Sequence, residues 1–244
     1  MSGSLGPAVP PVVPPVGTTG PSGSATALVV VDLQNDFCAG PVAAARFPGD
    51  PARLTGTAAR CAQAVATARA HGIEVLFVRF LGDLTHQGAA WRRRDAELGK
   101  SPKCLEGTWG ADYHAVRPLP GEAEFTKRAC FDAFLDPEFE PHLRRRGIEH
   151  LVLVGLFTDV CVDSTARTAF QRGFHLTVLR DCTTALHLAD TDILRFMARV
   201  YGARITTLAD LEPADPADPA LAPTAWAAPT ARTAEAPTTA GGDR

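Results

Sequence analysis

Nowhere does the chain approach the ~18 consecutive apolar residues that a bilayer-spanning helix requires, so no segment reads as membrane-embedded. Lysine and arginine are missing before Asp32, and proline interrupts every short apolar run there, so this stretch does not read as a secretion signal. Positive charge is not in surplus either. The 24 Lys and Arg residues stand against 27 Asp and Glu, a net charge of −3, and a nucleic-acid partner is not expected. The runs Arg92-Arg93-Arg94 and Arg144-Arg145-Arg146 are short and lie among acids, as solvated faces do. The six cysteines are unevenly spaced and form no CxxC pair, which argues against a structural zinc site. A cytoplasmic location is the resulting expectation, with most cysteines serving as small hydrophobes and room for one reactive thiol.

What is present is an ordinary globular composition, 45% hydrophobic and 21% charged. The two ends differ from the middle. Residues 1–25 hold six prolines among Gly, Ser and Thr, and residues 212–244 repeat Ala, Pro, Thr and Asp. Neither can bury enough apolar surface to offset its ordering entropy, so both are expected to be disordered, with Trp226 an exposed aromatic in the second. Residues 26–211 are expected to form one domain.

Within it, short apolar runs alternate with helical patterns. Strands are expected at Ala27–Val31, Ile73–Phe80, Glu122–Thr126, Ile148–Leu156, Phe174–Leu179 and Arg204–Leu208. Helices are expected at Ala52–Ala70, within "PEFEPHLRRRG", at Asp159–Arg172 and at Leu188–Tyr201. Residues 81–121 are too long for a simple connection and point to function or to short elements of their own. The pattern predicts a three-layer α/β/α, doubly wound domain with a mainly parallel six-stranded sheet. Ligands of such sheets bind beyond the carboxyl ends of the strands, where the strand order reverses.

Three of those strand ends carry reactive side chains. Asp32 abuts the apolar run "ALVVV", where desolvation raises a carboxylate's pKa and suits it to act as a general base. Capping a loop or helix is the other reading of Asp32, a task Asp36 could take instead. Lys127 closes "EFTK" at the same edge of the sheet. The fourth strand runs into "GLFTDVC", where Thr158 or Asp159 is a suitable helix N-cap and Cys161 falls in the first turn. Free N–H groups and the helix dipole there favour a thiolate, and the same amides could hold an oxyanion.

The segments "ALVVVDLQNDFC", "FTKRACFDAF" and "GIEHLVLVGLFTDVCVDSTARTAF", followed by "VLRDCTTA", resemble the isochorismatase-like cysteine hydrolases in order and spacing from Ala27 to about Leu208. The resemblance implies a catalytic triad of Asp32, Lys127 and Cys161, and an oxyanion hole formed by the backbone N–H groups of Phe157 and Cys161. It also implies a cis peptide at Leu156–Phe157. By resemblance the enzyme is an amidohydrolase that needs no cofactor, cleaving a small amide, ureido or carbamoyl compound through a thioester, and is a homodimer or homotetramer. Nicotinamidases carry a metal site of the pattern Asp-x-His. Here Asp83 and His86 are spaced Asp-x-x-His with no clear third ligand, so no metal is expected. "CLEGTWGADYH" is most similar to the ureidoacrylate and biuret amidohydrolases, and from it Trp91, Trp109 and Tyr113 become candidate pocket walls, with core packing the equal alternative, beside Phe37. Isochorismatases proper, which cleave a vinyl ether, generally lack the cysteine. The competing readings are vinyl-ether hydrolysis, a catalytically silent binding protein, or a redox switch in which Cys38 pairs with Cys161.

Overall fold

The protein is described by a computed structural model over residues 25–128 and 130–211. The expectations for the tails and for Trp226 lie outside the described residues, except at Ala25, which belongs to the first strand.

The chain order begins with β1 (Ala25–Val31) and two short helices, α1 (Asn35–Cys38) and α2 (Gly40–Arg46). The long helix α3 (Ala52–Ala70), β2 (Glu74–Phe80) and α4 (Ala89–Glu97) follow. After β3 (Ala123–Lys127) come α5 (Phe139–Arg145), β4 (Ile148–Leu156) and α6 (Asp163–Gln171). The domain closes with β5 (His175–Thr184), α7 (Asp190–Tyr201) and β6 (Arg204–Thr206). All strand pairs are parallel, in the order β3-β2-β1-β4-β5-β6. The chain therefore winds outward one way from β1 and the other way from β4, and the order reverses between them.

Both faces of the sheet are covered, which is why the strands read as continuous apolar runs and not as alternations. On one face Leu28 and Val30 of β1 join Phe77 of β2 and the inner row of α3, Leu54, Ala58, Cys61 and Val65, in a buried core. On the other face Ala27, Val29 and Val31 join Leu76, Leu153 and the α6 and α7 residues Ala166, Ala169, Ile193 and Met197. The alanines of α3 and α6 keep those helices close to the strands. Beside the reversal, Gly155 of β4 pairs with Val31 at φ +113°, and a Cβ there would lie 2.0 Å from the Val31 carbonyl oxygen. Only glycine lets the two strands approach this closely at their carboxyl ends.

Most expected elements are found, with shifted ends. β5 continues five residues past the expected Leu179, because Arg180 and Asp181 face outward at a register shift while Cys182, Thr183 and Thr184 turn back into the sheet. Asp181 then binds Arg60 and accepts from the Leu208 amide. The last strand is cut to three residues, because Thr206 and Thr207 donate to the Asp210 carboxylate and bend the chain into a 3-10 turn at Leu208–Leu211. The stretch 81–121 contains α4 and a loop pinned to the first strand end. Gln34 donates to the carbonyls of Phe80 and Ala111, each at 2.9 Å, and accepts from Phe80 N–H at 2.8 Å. Asn35 donates to the Trp109 carbonyl and faces His114 Nδ1, and Asp36 accepts from the Cys104 N–H. The polar letters of "DLQNDF" thus hold the long connection against the edge of the sheet.

Candidate active site

Asp32 follows β1 directly, with its backbone in the left-handed region (φ +51°) and its N–H bonded to the Val78 carbonyl at 2.9 Å. That twist is costly for a residue with a Cβ and is the kind of distortion that concentrates at functional sites. Its side chain is wholly buried. Lys127, the last residue of β3, reaches past the end of β2, and its Nζ donates to Asp32 Oδ2 at 2.6 Å and to the Phe131 carbonyl at 2.7 Å. It is equally inaccessible. Asp32 Oδ1 has no hydrogen-bond partner by distance and angle among the described residues. The Cys161 thiol is the neighbour that couples electrostatically to both ends of this pair. The structure thus brings together the three residues expected from three separate strand ends, astride the point where the strand order reverses.

The electrostatics refine that expectation. Burial raises the Asp32 pKa above the usual carboxylate value, and the Lys127 charge opposes the rise without cancelling it. Burial alone would lower the Lys127 pKa, but the charges of Asp32 and Cys161 raise it, so the ammonium is held. Burial, then the Asp32 charge, push the Cys161 pKa well up, and Lys127 offsets only part of this. The expectation that the helix N-terminus lowers the thiol's pKa is therefore corrected in direction: burial and the neighbouring carboxylate outweigh it at Cys161.

The local helix also differs from the expected form. Thr158–Val162 is a π-helical turn that leads into α6, and neither Thr158 nor Asp159 caps it. Thr158 is buried and bonded to Thr183 Oγ1 at 2.7 Å, while Asp159 accepts from the N–H groups of Leu186, His187 and Leu188 and so ties down the loop after β5. The Leu156–Phe157 peptide is cis. The Phe157 carbonyl accepts from the amides of Val160 and Val162, a ladder that does not use the Phe157 N–H.

A cavity of about 90 Å³ opens on Cys161. Phe37, Phe80, Trp91, Phe131 and Phe157 wall it, with Phe80 and Trp91 stacked 6.1 Å apart and Phe37 set edge-on to Phe157. Phe37 and Trp91 are thus pocket residues. Trp109 and Tyr113 do not line it. The Trp109 ring is largely exposed over Gly40, because its loop is held by its backbone carbonyl, and Tyr113 packs edge-on against Phe77 beneath the sheet end. Cys38 is in the core with its pKa raised to about 12, and the cysteine that lines the cavity beside Cys161 is Cys130.

Sequence reasoning missed the cations. Arg46, Arg94, Lys100 and Lys103 all line this cavity, with His187, and among the described residues no Asp or Glu does. Arg94 is the exception to the reading of its run as a solvated face: its guanidinium lies 4.7 Å from the Trp91 ring centre, anchored by Asp95. The signal available in the sequence was the recurrence of Arg and Lys after Trp91, through residues 92–103. Asp83 and His86 pair with each other on the surface at 2.8 Å. Among the described residues, no group of three His, Cys, Asp or Glu side chains is placed to hold a metal ion.

Comparison with known proteins places the chain in a family. A family model described as the isochorismatase domain matches residues 26–210. The ureidoacrylate amidohydrolase of Variovorax paradoxus is 33% identical over 179 residues, covering 67% of this chain and 70% of that protein. The solved N-carbamoylsarcosine amidase of Thermoplasma acidophilum superposes with a TM-score of 0.63 at 26% identity, over 75% of this chain and 96% of that one. The zinc complex of a pyrazinamidase from Pyrococcus horikoshii, at 22% identity and a TM-score of 0.58 over 75% and 98% of the two chains, shares the fold.

Proposed function

The chain belongs to the isochorismatase family, and from that premise we propose that it is a cysteine-dependent amidohydrolase acting on a small amide, ureido or carbamoyl compound. The observation that carries the proposal is the meeting of Asp32, Lys127 and Cys161 at one sheet edge, with an aromatic cavity opening on the sulfur. The relatives named for ureidoacrylate and carbamoylsarcosine support the C–N bond as the target.

In this mechanism Asp32 takes the thiol proton as Cys161 Sγ attacks the substrate carbonyl, so no free thiolate needs to persist in the buried site. Oδ1, the carboxylate oxygen that Lys127 leaves free, is the acceptor. Lys127 stabilises the negative charge as it passes from carboxylate to sulfur and onward. The backbone N–H groups of Phe157 and Cys161 hold the oxyanion. On collapse, the C–N bond breaks and Asp32 returns its proton to the leaving amine, leaving an S–C thioester. Water attacks that thioester with Asp32 again as base, and the thiol is regenerated. Each step moves one proton between groups already in place.

The test is an ammonia-release screen over small amides, ureas and carbamoyl compounds, with full-length Cys161→Ala protein as the blank. Turnover confined to the wild-type protein is the expected result. Equal release by both proteins contradicts the mechanism.

A further inference from the structure

Buried or half-buried lysines and arginines elsewhere among the described residues have carboxylates. Lys127 is paired with Asp32, Arg69 chelates Glu122 through two bonds of 2.8 Å, and Arg146 and His142 share Glu74. The cations of the active-site cavity break this pattern. Lys103 is half-buried, with its ammonium 5.6 Å from the Phe80 ring centre and 5.9 Å from that of Trp91, and it forms no ion pair among the described residues. Arg46 and Lys100 are also half-buried and likewise without an ion pair among the described residues. The carboxylates nearby are engaged: Asp95 by Arg94 and by Trp91 Nε1–H, Asp36 by the Cys104 N–H, and Asp32 by Lys127.

Stripping water from unpaired cations is unfavourable, and two aromatic faces compensate an ammonium only in part. Burial, with the Arg46 charge, lowers the Lys103 pKa to about 8, and burial lowers that of Arg46. A domain that pairs its other buried cations has left these open where they face the nucleophile's cavity. Arg46 and Lys100 also line an adjoining cavity of about 530 Å³, so the cations stand where the narrow chamber at Cys161 meets a wider one.

We propose that Lys103, assisted by Arg46, is the specificity-determining residue of this enzyme and holds a carboxylate carried by the same small molecule whose C–N bond faces Cys161. The inference rests on the amidohydrolase reading for the position of the scissile bond. The anion supplies the missing counter-charge, the aromatic walls cover the carbon skeleton, and neutral amides bind without that pairing.

Equilibrium binding separates the two ideas, because it needs no turnover. Full-length Cys161→Ala protein is titrated calorimetrically at pH 7 with ureidoacetate, 3-ureidopropanoate and 4-ureidobutanoate, and with the carboxamide counterpart of each. At least one acid binds about ten-fold or more tightly than its amide, on the scale of one charge-assisted pair. Adding Lys103→Met removes that advantage, while Lys103→Arg, which keeps the charge, retains most of it. Melting curves show each variant folded. In the wild-type setting Arg46, Asp95, Cys104, Cys161 and Asp32 are the charged or titratable groups that act on Lys103, and the acid's advantage fades as pH rises above about 8. Equal binding of every acid and its amide, no binding of any acid, or an advantage that survives Lys103→Met overturns the proposal. Ammonia release by the wild-type protein remains a separate result in every case.

Discussion

Two lysines meet the same cavity region and have opposite surroundings. Lys127 is sealed from solvent with Asp32 and the Phe131 carbonyl as partners, so its charge is committed inside the protein. Lys103 lies over Phe80 and Trp91 in the cavity wall with no carboxylate of its own. A committed charge tunes its neighbours, here a base and a thiol. An uncommitted one at a cavity wall is available to a ligand. On the reading proposed above, the difference separates the chemical half of the site from the half that selects what enters it.

The largest effect is expected on the chemical side. Cys161→Ala removes the proposed nucleophile and should reduce steady-state ammonia release to background, with circular dichroism and melting unchanged. Asp32→Asn should lower kcat by about 10²–10⁴-fold, the usual worth of a positioned acid–base group. In the wild-type protein the acidic limb of kcat/KM should then report Asp32. Its pKa is raised, so activity is lost as pH falls through a value above the ordinary 3.8. An acidic limb that stays in place when Lys127 is replaced would sever the two residues.

Lys127→Met sharpens the contrast through stability. It strands a fully buried carboxylate, and breaking a buried pair from one side typically costs about 3–5 kcal/mol in urea unfolding. Lys103→Met takes an unpaired ammonium out of a half-buried wall and should change unfolding by about 1 kcal/mol or less. Its effect should appear as a raised KM for an acidic substrate with kcat nearly unchanged. Similar unfolding losses for the two variants would erase the distinction between committed and uncommitted charge. The smallest effect is expected at Trp109, exposed and off the cavity, where Trp109→Ala should leave KM within about two-fold.

The sheet, its doubly wound order and the three reactive strand ends were legible in the sequence because buried parallel strands must be apolar throughout. A polar residue at such a strand's carboxyl edge is therefore conspicuous. Asp32 after "ALVVV" and Cys161 after "LVLVGLFTDV" are signals of that kind. The state of the thiol was not legible, since it depends on how deeply Cys161 sits and on a carboxylate far from it in sequence. Thr158 and Asp159 carry the composition of an N-cap, yet tertiary partners at Thr183 and the Leu186–Leu188 amides claimed both side chains. Trp91, Trp109 and Tyr113 look alike as letters, and only the pinning of the 104–114 loop by Asn35 and Asp36 decides which of them reaches the cavity. The cations escaped notice because an arginine on a helix such as Arg94 is ordinarily solvated, and only folding shows which carboxylates are absent.

The most direct measurement is peptide mass spectrometry of the enzyme quenched in acid during turnover of a substrate found by the ammonia screen. The account predicts an acyl adduct on the peptide carrying Cys161, at the mass of the substrate less its amine, and no such adduct in Cys161→Ala protein. Turnover with full activity in Cys161→Ala, or an adduct on Cys130 in its place, would contradict it.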